Sequence, residues 1–206
     1  MPPPKIKFCG FTRAEDVRAA VALGVDAVGL NLARGPRRID AAHAATLVRL
    51  LPPFTTAVAL FVDQDEAAIL EAMRVTRCAA VQLHGSEPPE LAERLRARFP
   101  LLKAFAIASA TDLTRVRGYP ADAYLLDTAL PGVAGGTGVG WDHALLADQD
   151  LGAPLVLAGG LRADTVAAAI ARVRPYAVDV ASGIESAPAI KDQALMAAFI
   201  AAVRSA

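Results

Sequence analysis

Short apolar runs recur along the chain, and each is followed by a stretch with the residue spacing of an amphipathic helix. Most of the runs are continuous rather than alternating, which is typical of parallel strands covered on both faces. We predict strands at residues 5–9, 26–32, 56–62, 80–84, 102–107, 123–127, 155–158 and 178–181. Strands that alternate with helices in this way indicate an α/β fold.

The segments between the strands carry signals for helix starts. In "TRAEDVRAAVALG", Thr12 and Glu15 have the spacing of a capping box, and Val17, Ala20 and Val21 fall on one helix face. In "SEPPELAERLRARF", two prolines stand at the predicted helix start, where the missing N–H group costs little. These signals predict helices between the strands.

Eight strand–helix units fit either a closed (β/α)8 barrel or an open doubly wound sheet. Polar or glycine residues follow nearly every predicted strand at its C-terminal end: Cys9, Asn31, Asp63, His84, Asp127, Gly159, Gly160, Ser182 and Gly183. A barrel brings all of these ends to one mouth, whereas an open sheet separates the first from the last. We therefore predict a (β/α)8 TIM barrel. No linker or composition shift divides residues 1–206, so we expect a single domain.

The composition narrows the possible partners. The chain has 206 residues, of which 54% are hydrophobic, and its 21 Lys and Arg balance 21 Asp and Glu. This balance offers no basic surface for nucleic acid or an anionic membrane. No apolar run approaches the roughly 18 residues of a membrane span, and the N-terminus lacks the apolar segment of a secretory signal. The two cysteines form neither a disulfide framework nor a zinc-ligand pattern, so we expect a cytoplasmic protein.

Three glycine-bearing loops late in the chain suggest a phosphate site: "GVAGGTGVG", "LAGGLRADT" and "VASGIES". Glycine lets backbone N–H groups approach an anion closely, and the loops after strands seven and eight of a barrel often bind phosphate. The alternative is that each glycine only turns the chain after a strand. The glycine pair after strand seven and the Ser–Gly pair after strand eight favour a phosphorylated small-molecule ligand.

Cys9 and Asp127 are candidates for acid–base chemistry, because each ends an apolar strand. A barrel would place a thiol and a carboxyl group across one mouth, as a base and an acid. Taken singly, Asp127 is equally well explained as a loop cap, and Cys9 as a small buried hydrophobe. A thiolate would need an electropositive site, because the ordinary pKa of a thiol is about 8.5.

Other polar residues near the predicted mouth are further candidates for binding the substrate. The loop after strand two contains Arg34, Arg37 and Arg38. It is either a solvated surface loop or a loop whose arginines bind a substrate carboxylate through two hydrogen bonds. His84 either orders its loop or forms a wall of the site. Asp179 is expected to point into the barrel, where it could hold a ribose hydroxyl.

The ordered motifs "KIKFCGFT", "DAVGLNL", "PRRI", "VQLHGSEPPEL", "LLDT", "GGTG", "LAGGL" and "RPYAVDVASGIE" resemble the phosphoribosylanthranilate isomerase family of tryptophan biosynthesis. The resemblance covers essentially the whole chain. It implies a single-domain barrel, monomeric or homodimeric, that needs no cofactor or metal. It also implies an Amadori rearrangement of N-(5-phosphoribosyl)anthranilate to 1-(2-carboxyphenylamino)-1-deoxyribulose 5-phosphate.

The resemblance also implies roles for individual residues. Asp127 is expected to protonate the ribose ring oxygen, and Cys9, as a thiolate, to remove the proton at C2. Arg37 matches the arginine expected to hold the anthranilate carboxylate, although the neighbouring Arg38 could take this role, and Asp179 is expected near the sugar. The expected phosphate site consists of Gly136, Thr137, Gly138, Gly159, Gly160, Ser182 and Gly183.

Two other functions are compatible with the same fold. The first is another isomerase or epimerase of a phosphorylated sugar. A metal-dependent epimerase would need His and Asp ligands at several strand ends, and of the three histidines only His84 stands at a strand end. An isomerase of a histidine-pathway aminoimidazole would use an aspartate where the first strand ends in Cys9. The second is a non-catalytic barrel that binds phosphorylated ligands without turnover.

Overall fold

The structure is a computed structural model that describes residues 3–127 and 150–206. Within these residues, eight parallel strands close into a barrel in chain order, which confirms the predicted TIM-barrel fold. Each predicted strand bound agrees with the structure to within one residue. The strands are β1 (Lys5–Cys9), β2 (Ala27–Asn31), β3 (Thr56–Phe61), β4 (Ala80–Leu83), β5 (Leu101–Ala106), β6 (Ala123–Asp127), β7 (Leu155–Ala158) and β8 (Ala177–Val180).

Helices follow most strands and cover the outside of the barrel. They are α1 (Ala14–Ala22), α2 (Ala41–Val48), α3 (Glu66–Thr76), α4 (Pro89–Arg96), α5 (Val166–Val173) and α6 (Gln193–Arg204), with 3-10 helices at Ala110–Arg115 and Ser182–Ile184. Asp40, Asp65 and Asp192 each accept a hydrogen bond from a backbone N–H of the first turn of the helix that follows. Pro89 opens α4, as its sequence predicts.

The predicted capping box at Thr12 is wrong. Helix α1 begins at Ala14, after Arg13, and no side chain caps it. The Thr12 hydroxyl instead donates a hydrogen bond of 2.8 Å to the carbonyl oxygen of Ala189. Thr12 therefore ties the β1–α1 loop to the segment that follows β8, a contact that local spacing does not reveal.

Apolar side chains fill both faces of the strands. The larger core lies between barrel and helices and includes Phe8, Leu30 and Phe61, all fully buried. A smaller cluster inside the barrel is built mainly from alanine, valine and leucine, namely Ala104, Leu125, Val156, Ala158, Ala177, Leu102 and Ala123. Small and branched side chains suit the narrow barrel interior. None of the described helices has both the length and the apolar character that crossing a membrane requires.

The strand register brings chemistry-bearing residues to the C-terminal mouth. Cys9 on β1 is opposite Gly29 on β2, and Asp127 on β6 is opposite Ala158 on β7. After β8, the chain forms an antiparallel ribbon of β9 (Glu185–Ala187) and β10 (Ile190–Lys191), which the sequence pattern did not predict. This ribbon supplies further residues to the mouth.

Candidate active site

One cavity of about 290 Å³ lies at the C-terminal ends of the strands. Its walls include nearly all of the predicted site residues within the described ranges: Cys9, Arg37, His84, Asp127, Gly159, Gly160, Asp179, Ser182 and Gly183. Arg38 is exposed and does not line the cavity. The predicted phosphate-site residues Gly136, Thr137 and Gly138 lie outside the described residues.

Cys9 and Asp127 both line this cavity. Cys9 ends β1 and Asp127 ends β6, and on the shorter way around the barrel two strands, β7 and β8, lie between them. The sulfur of Cys9 packs against the backbone of Gly29, where a Cβ atom would lie only 2.7 Å from Sγ. Cys9 is 7% exposed. The missing side chain at Gly29 thus makes room for the thiol at the wall of the cavity.

A buried ion pair lies directly below Cys9. Lys7 is two residues earlier on β1, so its side chain points to the same face of the strand. Its Nζ donates a hydrogen bond of 2.6 Å to Oδ1 of Asp179, which is opposite it on β8. Asp179 thus binds a lysine from the adjacent strand through Oδ1, and because Asp179 also lines the cavity, its expected contact with a ribose hydroxyl stays a prediction.

Burial is the largest influence on the Cys9 thiol, and it raises the pKa of this group. The ammonium group of Lys7 lowers the thiol pKa, and Lys191 does so more weakly, whereas the carboxylate of Asp179 raises it. The net result is a pKa above the ordinary thiol value. The pKa of Lys7 is raised, because Asp179 and Cys9 together outweigh the effect of burial.

His84 faces Asp127 across the cavity. Its Nε2 lies 3.9 Å from Oδ2 of Asp127, and its Nδ1 is 3.0 Å from the Nε2 amide of Gln82. Because the amide nitrogen can only donate, Nδ1 accepts and Nε2 carries the proton that faces Asp127. Burial lowers the pKa of His84, which favours this neutral form.

Gln82 was not among the predicted site residues. It is fully buried and lines the cavity, and its Oε1 has no hydrogen-bond partner in the described part of the chain. A polar side chain in the middle of the apolar strand "AVQL" is the signal that could have identified it.

Arg37 reaches the cavity from the loop after β2. Its Nε and Nη2 donate to the two carboxylate oxygens of Glu185, at 2.7 and 2.5 Å. Glu185 also accepts a bond of 2.8 Å from Nζ of Lys191, its cross-strand partner on the ribbon. Hydrogen bonds from Arg37 and Lys191 outweigh the effect of burial and lower the pKa of Glu185.

Lys191 connects three parts of the mouth. Besides Glu185, its Nζ donates to the carbonyl oxygens of Cys9 at 2.6 Å and Ala181 at 3.0 Å. These partners come from the end of β1, the segment after β8, and the ribbon. Sequence reasoning missed both Lys191 and Glu185, and no local pattern marks a lysine that lies 182 residues from the carbonyl it binds.

The loop that carries Arg37 is folded by Asn31. The Asn31 side chain donates to the carbonyl oxygen of Arg34 and accepts from the N–H of Ala33, both at 2.9 Å. Backbone pairing of Asn31 with Arg38 then closes the loop. This closure turns Arg37 toward the cavity and leaves Arg34 and Arg38 exposed.

The glycine-bearing ends of β7 and β8 form one side of the cavity. Gly159 and Gly160 both have positive φ, at 92° and 63°, a conformation that favours glycine. Gly183 packs so closely on the carbonyl oxygen of Leu161 that a Cβ atom would overlap it. These features place backbone groups of both loops at the cavity wall, as phosphate binding requires.

Asp63, the remaining polar strand end, serves a different purpose. Its carboxylate accepts a bond of 2.6 Å from the N–H of Ser86, and its own N–H donates to Glu87. Glu87 forms a buried ion pair of 2.9 Å with Lys103. Asp63 and this pair order the loop after β4 that carries His84.

The described ranges 3–127 and 150–206 contain no group of three His, Cys, Asp or Glu side chains arranged to hold a metal ion. Independence of metal and cofactor stays a prediction, which turnover in the presence of a chelator tests.

Comparisons with known proteins agree with the geometry of the site. The family model described as N-(5'-phosphoribosyl)anthranilate isomerase matches residues 6–202. A protein of that name from Pseudomonas paraeruginosa is 48% identical over 208 residues, covering 100% of this chain and 97% of the relative.

Solved structures show the same similarity. A phosphoribosyl anthranilate isomerase from Thermotoga maritima superimposes with a TM-score of 0.94 at 36% identity, covering 98% of this chain and 100% of the other. Another, with a TM-score of 0.87 at 34% identity and the same coverage, is a complex with reduced 1-(o-carboxyphenylamino)-1-deoxyribulose 5-phosphate.

Proposed function

The chain belongs to the N-(5'-phosphoribosyl)anthranilate isomerase family and is an isomerase of tryptophan biosynthesis, and we propose that Cys9 and Asp127 carry out its reaction. One observation supports this assignment above all: the thiol and the carboxyl group line the same cavity, beside an arginine and two glycine-bearing loops. The substrate is a phosphorylated small molecule that also bears an aromatic carboxylate.

The geometry suggests how the substrate is oriented. Backbone groups of Gly159, Gly160, Ser182 and Gly183 bind the phosphate at one side of the cavity. The Nη1–Nη2 edge of Arg37 binds the anthranilate carboxylate, because Glu185 occupies the Nε–Nη2 edge. These contacts hold the sugar between Cys9 and Asp127.

The reaction then begins with two proton transfers. Asp127, in its protonated form, donates a proton to the ribose ring oxygen as the C1–O bond breaks, and the nitrogen lone pair forms an iminium. The thiolate of Cys9 removes the proton at C2, and the electrons of the C–H bond neutralise the iminium to give an enolamine. The enolamine tautomerises to the ketone of the product, so no other reactant is required.

His84 supports this sequence. Once Asp127 has donated its proton, the Nε2–H group of His84 faces the resulting carboxylate and stabilises it. A neutral His84 does not compete with Asp127 as a proton donor, since its pKa is lowered by burial.

The experiment is to follow the loss of the intrinsic fluorescence of phosphoribosylanthranilate in the presence of the protein. We expect turnover with the unaltered chain and a decrease of about 10²- to 10⁴-fold in kcat for both Cys9→Ser and Asp127→Asn. Cys78→Ser is the matched control, because Cys78 is buried in the outer core. Persistent fluorescence with a folded protein that still binds phosphate would instead identify a non-catalytic binding barrel.

The assembly and location stay predictions. The chain is expected to be a monomer or a homodimer, which light scattering after size-exclusion chromatography distinguishes. A cytoplasmic location is expected from the composition and the two unpaired cysteines.

A further inference from the structure

We propose that Lys7 is a positioning residue that stabilises the thiolate of Cys9, and that Asp179 serves mainly to hold Lys7 in place. This inference rests on the proposed role of Cys9 as the base. It assigns a function to the buried Lys7–Asp179 pair.

The placement of Lys7 is the first argument. A lysine inside a barrel strand is expensive to bury, and Lys7 is 4% exposed. Its side chain points to the same face of β1 as Cys9, one step deeper in the barrel. Asp179, opposite Lys7 on β8, accepts one of its three N–H groups, at 2.6 Å. The sulfur above it is a second hydrogen-bond partner of the ammonium group.

The other cations near Cys9 are already engaged. Lys191 directs its Nζ to three acceptors, namely Cys9 O, Ala181 O and Glu185 Oε1. The guanidinium of Arg37 forms a bidentate pair with Glu185. Lys191 and one edge of Arg37 are thus held by carbonyl groups and a carboxylate, and of the cations around the thiol Lys7 has the largest effect on it.

The charges around Cys9 support the same conclusion. The groups that face it are Lys7 from β1, Asp179 from β8, Lys191 with Glu185 from the ribbon, Arg37 from the β2–α2 loop, and His84 and Asp127 across the cavity. Lys7, Lys191 and Arg37 are cations, whereas Asp179 and Glu185 are anions. With Asp127 protonated, as the proposed mechanism requires, and His84 neutral, these groups therefore carry one positive charge in excess until the thiol ionises. Lys7 is the cation with the largest effect on the thiol pKa.

The test measures ionisation of Cys9 without using turnover. The rate of alkylation of Cys9 by iodoacetamide is recorded against pH, with the labelled peptide quantified by mass spectrometry so that Cys78 does not interfere. We expect Lys7→Met to raise the midpoint of the profile by about one pH unit, which is tenfold less thiolate at neutral pH. Asp179→Asn should move the midpoint in the opposite direction, because an anion near the thiol is removed.

Three further variants separate this role from a merely structural one. Lys7→Arg keeps the charge and should restore most of the wild-type profile. Lys5→Met removes an exposed lysine of the same strand, which pairs with Asp26, and should leave the profile unchanged. The double variant Lys7→Met/Asp179→Asn removes both buried charges and so leaves neither one unpaired. Its alkylation profile can therefore be measured even if Lys7→Met alone does not fold. Its midpoint should lie between those of the wild type and Lys7→Met.

An unchanged midpoint in Lys7→Met and in the double variant overturns the proposal. Failure of the proposed function is a separate outcome: Cys9→Ser then retains turnover, while the alkylation profiles still report whether Lys7 stabilises the thiolate. If both proposals hold, Lys7→Met should also lower kcat about tenfold at neutral pH with little change in KM.

Discussion

Arg37 and Glu185 form a bidentate ion pair that joins the loop after β2 to the ribbon after β8, with hydrogen bonds of 2.7 and 2.5 Å. The two residues are 148 positions apart in the sequence. The pair fixes one edge of the guanidinium and presents the other to the cavity. This relationship is the physical reason to favour Arg37 over Arg38 as the carboxylate-binding residue.

Substitution of the two arginines tests this choice. We expect Arg37→Ala to raise KM by about 10- to 100-fold with a smaller effect on kcat, since a charged pair of hydrogen bonds contributes about 1.5–3 kcal/mol. Arg38→Ala, the matched control, should change KM less than twofold, because Arg38 is exposed outside the cavity. Steady-state kinetics decides, and a larger effect of Arg38→Ala would move the assignment by one residue.

Glu185 should make stability depend on pH in the acid range. Its pKa in the folded protein is lowered, so its contribution is fully present above the unfolded value of about 4.3 and is lost as the pH falls through the folded value. We expect Glu185→Gln to reduce the free energy of unfolding by about 2 kcal/mol at pH 7.

Urea titrations from pH 3 to 7 measure this difference. The gap between the wild type and Glu185→Gln should narrow as the pH falls below the unfolded value of about 4.3. Glu71→Gln is the control, because Glu71 pairs with Arg74 on the exposed face of α3 and should change stability little at any pH. A gap of constant size across this pH range would contradict the lowered pKa of Glu185.

Gly29 should be needed for the position of the thiol. A Cβ atom there would lie 2.7 Å from Sγ of Cys9 and 3.1 Å from its Cα, so the strand or the sulfur must shift. A displacement of this kind costs up to about 100-fold in rate when it misplaces a reacting group. We expect Gly29→Ala to lower kcat at least tenfold, measured with the fluorescence assay, while circular dichroism shows an intact fold. A kcat equal to that of the wild type in this variant would contradict the prediction that the methyl group displaces the sulfur of Cys9.

The fold was largely predictable, because the strands are apolar runs whose bounds the sequence pattern reveals. The site candidates at the strand ends, from Cys9 to Gly183, were predictable in the same way, because each stands at the end of an apolar run and a barrel brings these ends together. Lys7 had a readable signal, since a lysine two residues before Cys9 must share its strand face. Lys7 lies inside β1, away from the strand end at which a polar residue indicates a site, so it was not among the predicted residues.

Other parts of the site had no local signal. Glu185 and Lys191 reach the site on a short ribbon in which neither strand exceeds three residues. The partners of Lys191 are mainly carbonyl oxygens, which every residue carries, so sequence cannot name them. The choice between Arg37 and Arg38 likewise depends on how Asn31 folds the loop.

The buried pair of Lys103 and Glu87 should contribute strongly to stability. Both side chains are at most 3% exposed, and Glu87 also accepts bonds from the N–H groups of Asp63 and Gly85. Lys103→Met leaves the carboxylate buried without its cation, which costs about 3–5 kcal/mol. Arg96→Met breaks the exposed pair with Asp122 and should cost less than about 1 kcal/mol. Urea unfolding measures both, and equal losses would contradict the importance of burial.

Gly183 should be needed for phosphate binding, because its backbone packs directly on the carbonyl oxygen of Leu161 in the loop after β7. A methyl group at this position would force the two proposed phosphate-binding loops apart. We expect Gly183→Ala to raise KM at least tenfold and to weaken competitive inhibition by inorganic phosphate by the same factor, with a smaller change in kcat. Ser182→Ala is the matched variant, since it removes only a hydroxyl group and keeps the backbone N–H. It should change both constants less than threefold. A larger effect of Ser182→Ala would show that side-chain rather than backbone donors hold the phosphate.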